Sequence, residues 1–167
     1  MSCYMDQLSS ADTGLNLLRR HGIRICSTIN EALMLDEKTL QVDGVLSIGE
    51  HGSYAHNELG QHMYPRRHFL EQICAVIATS GRTIPVFSDK HISFSWDDAA
   101  LVYGRMAELT IPFMAGSSVP LMWRNPWYEP AVGTALDTAL VLNYGDLEAY
   151  GCTLVYSASL ILCVALV

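Results

Sequence analysis

Lys90 stands between Asp89 and His91, directly after the apolar run 83–87. An amine in that company can hold a substrate hydroxyl or carbonyl by a charge-assisted hydrogen bond, and when desolvated it can move protons. The imidazole beside it titrates near neutrality, which suits His91 to the part of partner acid or base. The plain alternative is a loop lysine paired with a nearby carboxylate, next to a satisfied loop histidine. Two further loops carry related groups. Gly49, Glu50, His51 and Gly52 follow the run 44–48, and Gly116, Ser117 and Ser118 follow 111–115.

Five of the six histidines, His51, His56, His62, His68 and His91, fall in the same region, with Glu50, Glu58 and Asp89 among them. Zinc needs three or four such ligands in tetrahedral array. The sequence has no His-x-His and no His-Glu-x-x-His spacing, so no metal is expected. Loop 49–67 is long and polar, and such loops often act as functional lids. Arg66 and Arg67 begin the helix that follows it, where their charge opposes the helix dipole. That placement points to an anionic ligand, a carboxylate partner or a solvated pair.

The elements that would position these groups alternate. Ser9 or Ser10 can cap a first helix that stops at Gly22. Residues 23–26 read as a strand. Thr28 to Glu31 has capping-box spacing and opens a short helix through Leu35. Strands are predicted at 44–48, 83–87 and 111–115, with helices at 65–79 and 95–109. Phe69, Ile73, Val76 and Ile77 share a face in the first of these helices, and Trp96, Ala100, Tyr103 and Ala107 in the second. Strand, helix, strand, helix, strand in this order predicts an α/β fold, a parallel sheet with helices on both faces. Ligands of such sheets bind beyond the carboxyl ends of the strands, where the polar loops fall.

The chain has 167 residues, half of them hydrophobic, 16% charged, and a net charge of −7. That composition excludes a disordered chain, and the acidic balance argues against nucleic acid as a partner. The five cysteines are odd in number and scattered, which suits a reducing cytoplasm better than a disulfide framework. No signal peptide is visible. Residues 152–167 carry no charge. As a helix they would reach only about 24 Å, short of a bilayer core of about 30 Å, so burial is expected and not a membrane span. No Gly-x-Gly-x-x-Gly, Walker loop or Gly-x-Ser-x-Gly occurs.

From about Ile25 to Ser118 the order of segments resembles the later part of the nucleotide-binding domain of Gfo/Idh/MocA oxidoreductases. Asn30-Glu31-Ala32-Leu33 and Val42-Asp43-Gly44-Val45 match the segment before that family's fourth strand. Asp89-Lys90-His91 stands where the family has Glu-Lys-Pro. EHGSYAHNELGQHMYPRR and IPFMAGSSVPLMWR are closer still to an uncharacterised branch of that superfamily. The resemblance implies a Rossmann-like parallel sheet, incomplete because the first strand and glycine-rich loop are missing, with Tyr4-Met5-Asp6 at the end of the second strand. It implies NAD or NADP as cofactor, with Gly49, Glu50, His51 and Asp89 on the nicotinamide side and Lys90 and His91 catalytic. Ser117, Ser118 and Arg124 would face a sugar-like or polyol substrate. Residues 1–118 would form the partial Rossmann-like domain, 119–151 a connector into a second domain, and 152–167 an apolar tail. Self-association as a homo-oligomer is left open. The alternative function is a non-catalytic Rossmann-like domain that binds a ligand or another protein.

Overall fold

The computed structural model describes residues 1–9 and 12–117 and, further on, only residues 123, 125, 127, 131, 133–135, 137, 138, 140–142, 151 and 155. The expected connector and tail thus fall almost wholly outside the described residues. The elements run β1 (Ser2–Tyr4), α1 (Thr13–Arg20), β2 (Arg24–Cys26), α2 (Ile29–Met34), β3 (Val45–Ser47), α3 (Arg66–Ser80), β4 (Val86–Asp89), α4 (Trp96–Glu108) and β5 (Phe113–Gly116). Every paired strand is parallel, as the alternation with helices requires. The fold is mixed α/β.

The strands differ from expectation in two ways. They form two small sheets, β1–β2 and β3–β4–β5, in place of one. They also start later, because proline has no N–H to give a ladder and sits best just before one. The Pro85 carbonyl accepts from Val45 N–H and the Pro112 carbonyl from Val86 N–H, each at 2.9 Å, so β4 and β5 begin one residue after a proline. Both then run further. Ser88 and Asp89 belong to β4 and Gly116 to β5, where the sequence reading placed them in loops.

Local signals explain the helix ends. The N-cap of α1 is Asp12, whose carboxylate accepts from Gly14 N–H, and not Ser9, while Ser10 lies outside the described residues. Thr28 caps α2 through Glu31 N–H, while the Glu31 carboxylate reaches back to Ser27 N–H. Ser95 caps α4, with Asp97 and Asp98 favourably placed in its first turn. Gly81 ends α3 in the left-handed conformation, φ 68°.

One core lies between the helices and the three-stranded sheet. Leu70, Ile73 and Ile77 of α3 meet Val102 and Met106 of α4, with Ile84, Val86 and Ile111 behind them. The face of α4 that carries Trp96 and Tyr103 points outward: these side chains are exposed, and Val102 and Met106 make the inner face. The sheet is also covered on one side only among the described residues. Leu46, Phe87 and Met114 form a cross-strand row on the other side, with Leu46 and Met114 exposed. Leu70 is fully enclosed, so Leu70→Ala should cost about 2–5 kcal/mol. Leu101→Ala, on the outer side of α4, should stay within about 0.5 kcal/mol. Urea unfolding of both variants checks this, and equal losses would place the core elsewhere.

Candidate functional site

Parallel strands end together, so β3, β4 and β5 deliver their following residues to one edge. Asp89 is in register with Gly116, and Lys90 N–H donates to the Gly116 carbonyl at 2.9 Å. At Lys90 the backbone turns left-handed, with φ 71°. Such a conformation is uncommon for a residue with a Cβ, and it carries the chain out of the strand. Lys90 Nζ lies 3.3 Å from Glu50 Oε2, in an ion pair whose side chains are only 9% and 11% exposed. Of the two readings of Lys90, the lysine paired with a carboxylate is therefore present. Its burial makes it more than a surface contact, because two charges held from water need each other.

Arg66 completes this edge. It is 2% exposed, its guanidinium lies 4.8 Å from the centre of the Tyr64 ring, and Nη1 donates to His91 Nε2 at 2.8 Å. A guanidinium has only donors, so Nε2 must accept and the ring proton sits on Nδ1. Burial lowers the His91 pKa to about 4, and the charges of Arg66 and Lys90 add to the effect. His91 is therefore neutral near pH 7 with its ring acceptor engaged by Arg66, which is a weaker claim to general base than the sequence suggested. Gly49 makes room for Arg66: a Cβ there would fall 2.6 Å from Arg66 Cγ.

A second group of polar side chains lies towards β1. Asp6 accepts from the Tyr4 and Tyr54 hydroxyls at 2.7 and 2.8 Å. Burial raises the Tyr54 hydroxyl pKa, and the bond to Asp6 adds to it. Gln7 and Ser53 exchange two hydrogen bonds. Between these groups and Glu50 is a cavity of about 180 Å³, lined also by Asp12 and His51. That is smaller than the roughly 300–1,000 Å³ of a drug-sized ligand site, and it suits part of a small polar molecule.

The structure therefore joins Glu50 to Lys90, Gly49 to Arg66 and His91, and Asp89 to Gly116. His51, exposed and left-handed at φ 63°, lines the cavity on the β1 side of Glu50. Ser117 is buried just after β5, and Ser118 and Arg124 lie outside the described residues. Arg66 and Tyr64 were not among the expected site residues, although two arginines on the wrong end of a helix were a visible signal. Arg67, the other, takes carboxylate partners, Glu71 at 2.8 Å and Asp98 at 2.5 Å. Loop 49–67 is partly ordered by its own contacts. Asn57 N–H bonds the Gln61 carbonyl, and the His56 and His62 rings stack at 4.4 Å. No group of metal-ligating side chains occurs among the described residues. No family model, curated protein or solved structure matches the chain.

The neutral His91 fixes a pH response. Its folded pKa lies below the unfolded value, so the unfolded chain binds more protons between about pH 6.5 and 4. Stability should fall as pH drops through that window, with a His91 contribution reaching about 3 kcal/mol at the acid end. Melting temperatures of the protein and of His91→Gln between pH 8 and 4 isolate this contribution. Parallel curves would show that folding leaves the His91 pKa where it is in the unfolded chain. In the same assay at pH 7, Gly49→Ala should destabilise by about 1–3 kcal/mol by pushing on Arg66.

Proposed function

We propose that this chain carries the substrate-side half of an oxidoreductase site of Gfo/Idh/MocA type, acting on a sugar-like or polyol substrate with NAD or NADP. The observation that carries this reading is the buried Lys90–Glu50 pair at the carboxyl edge of parallel strands. A hydroxyl suits such a pair, because it can accept from the ammonium and donate to the carboxylate at once. The strand arrangement supports the Rossmann-like part. A strand lying between β1 and β3 and preceding β1 in chain order would turn β2-β1 and β3-β4-β5 into the Rossmann order, with Glu50 and Lys90 beside the reversal where ligands bind.

The residues present do not fit the whole dinucleotide. A pyrophosphate rests on a glycine-rich turn and a helix N-terminus. The N-terminus of α1 is already capped by the Asp12 carboxylate, which would repel it, and α3 follows Tyr64-Pro65 with no glycine turn. The chain's own residues would thus bind and orient a hydroxyl: Lys90 donates, Glu50 accepts, and Arg66 holds the neutral His91 beside them. The same mismatch favours a second reading, a Rossmann-like domain that binds a polyol or sugar without turning it over. In either case the reading is of a cytoplasmic protein whose partner is a small molecule.

Removing Lys90 alone would strand Glu50, at a cost of about 3–5 kcal/mol, so the informative variant is Lys90→Met with Glu50→Gln. It should fold about as stably as the parent. Saturation-transfer NMR with a panel of hexoses and inositols should show binding to the parent and none to the double variant. Binding that survives the double substitution, or no binding to the parent, overturns the proposal. Calorimetry with NAD and NADP should show no micromolar binding, and micromolar binding would overturn the pyrophosphate argument.

A further inference from the structure

The cavity beside Glu50 has walls that the Lys90–Glu50 pair does not account for. Its volume of about 180 Å³ has room for about six water molecules, or as many heavy atoms of a ligand. Three carboxylates line it, Glu50, Asp6 and Asp12. Lys90 offsets Glu50 at 3.3 Å. Asp6 and Asp12 meet neutral donors instead, the Tyr4 and Tyr54 hydroxyls and the Gly14 N–H. Neither enters an ion pair among the described residues. The wall between them is aromatic, with Tyr4, Tyr54 and Phe69. Among the described residues no lysine or arginine lines the cavity; Arg66 packs against Gly49 without entering it, and His51, the one basic side chain there, is exposed.

These walls select by charge. A metal ion needs three or more such ligands within about 2.0–2.6 Å of one point, and no such group occurs among the described residues. An anion would face two carboxylates that carry no cation. An organic ammonium fits both kinds of wall: it has three N–H to give to the carboxylates, and its charge is attracted to aromatic faces. Asp6 is exposed, which puts negative charge on the side where a ligand enters, and the chain as a whole carries −7, which steers cations towards it.

We propose that the molecule bound at this edge is an amino sugar or aminocyclitol, with a hydroxyl on the Lys90–Glu50 pair and its ammonium group in this cavity. The inference rests on the polyol reading of that pair and adds the group that selects among polyols. Glu50 both pairs with Lys90 and lines the cavity, so a single ring can engage the two places.

NMR titration at pH 7 of glucosamine, galactosamine and an inosamine, each against its parent polyol and its N-acetyl form, tests this. At least one amine should bind about tenfold or more tightly than both of its neutral counterparts, the worth of one hydrogen bond to a charged group. Asp6→Asn with Asp12→Asn removes both charges; asparagine caps helices as well as aspartate does, and its amide can still bond the tyrosine hydroxyls. In that variant the preference for the amine should vanish. Should the variant fail to fold, the comparison of amine with N-acetyl form on the parent decides. Equal binding of amines and parent polyols would overturn the inference and leave the polyol reading standing. So would an undiminished preference in the double asparagine variant, or ethanolamine binding as tightly as the amino sugars. A preference that survives Lys90→Met with Glu50→Gln would overturn the polyol reading and leave the ammonium cavity. Binding of no amine and no polyol would overturn both.

Discussion

The parallel pairing of β4 with β3 on one side and β5 on the other is the constraint on which the rest depends. Parallel neighbours cannot be joined by a tight turn, so each pair demands a crossover, and α3 and α4 are those crossovers. Once they lie on one face of the sheet, Leu70, Ile73, Val102 and Met106 have a place to be buried. The pairing also collects the residues after three strands at one edge. Glu50 and Lys90 are forty positions apart in the chain, and they meet because β3 and β4 end side by side. The first turn of α3 enters the same edge, which brings Arg66 under Gly49 and against His91.

Much of this was legible in residue types. The apolar runs marked β3, β4 and β5, and Thr28–Glu31, Ser95 and Gly81 marked helix ends correctly, because caps are local signals. The starts of β4 and β5 were misplaced by up to three residues, since apolar character continues through Ile84-Pro85 and Ile111-Pro112 although the ladder cannot. The outward aspect of Trp96 and Tyr103 was also hidden: two helical faces of α4 are apolar, and only packing decides between them. The division into two sheets is not a local property, because it depends on which edges find partners.

In the site, Lys90, Glu50 and His91 were legible as a convergence of strand ends, without their geometry. The sequence could not tell that Lys90 would be nearly enclosed, or that Arg66 would hold His91 in one tautomer. The second follows from Gly49, whose missing side chain admits the Arg66 stem. A glycine after a strand is common enough that nothing local announces this role.

Three charged side chains at one edge, Glu50, Lys90 and Arg66, are largely withdrawn from water in a domain of modest size. Burying charge is costly even when it is paired, and apolar residues of similar volume often serve stability as well or better. The same edge carries two non-glycine residues in left-handed backbone, Lys90 directly after β4 and His51 in the loop beyond β3. Such conformations persist only where the surroundings impose them, and they gather at ligand sites. Either feature alone has a structural explanation: an ion pair can pin a loop, and a positive φ can turn the chain after a strand. Their coincidence on Lys90 is harder to explain that way. A glycine would make the same turn without strain, and an apolar side chain would fill the same space without desolvating an ammonium. What neither could do is present a positioned, charge-assisted donor at the carboxyl edge of the sheet, which is where a small polar ligand of this architecture would lie.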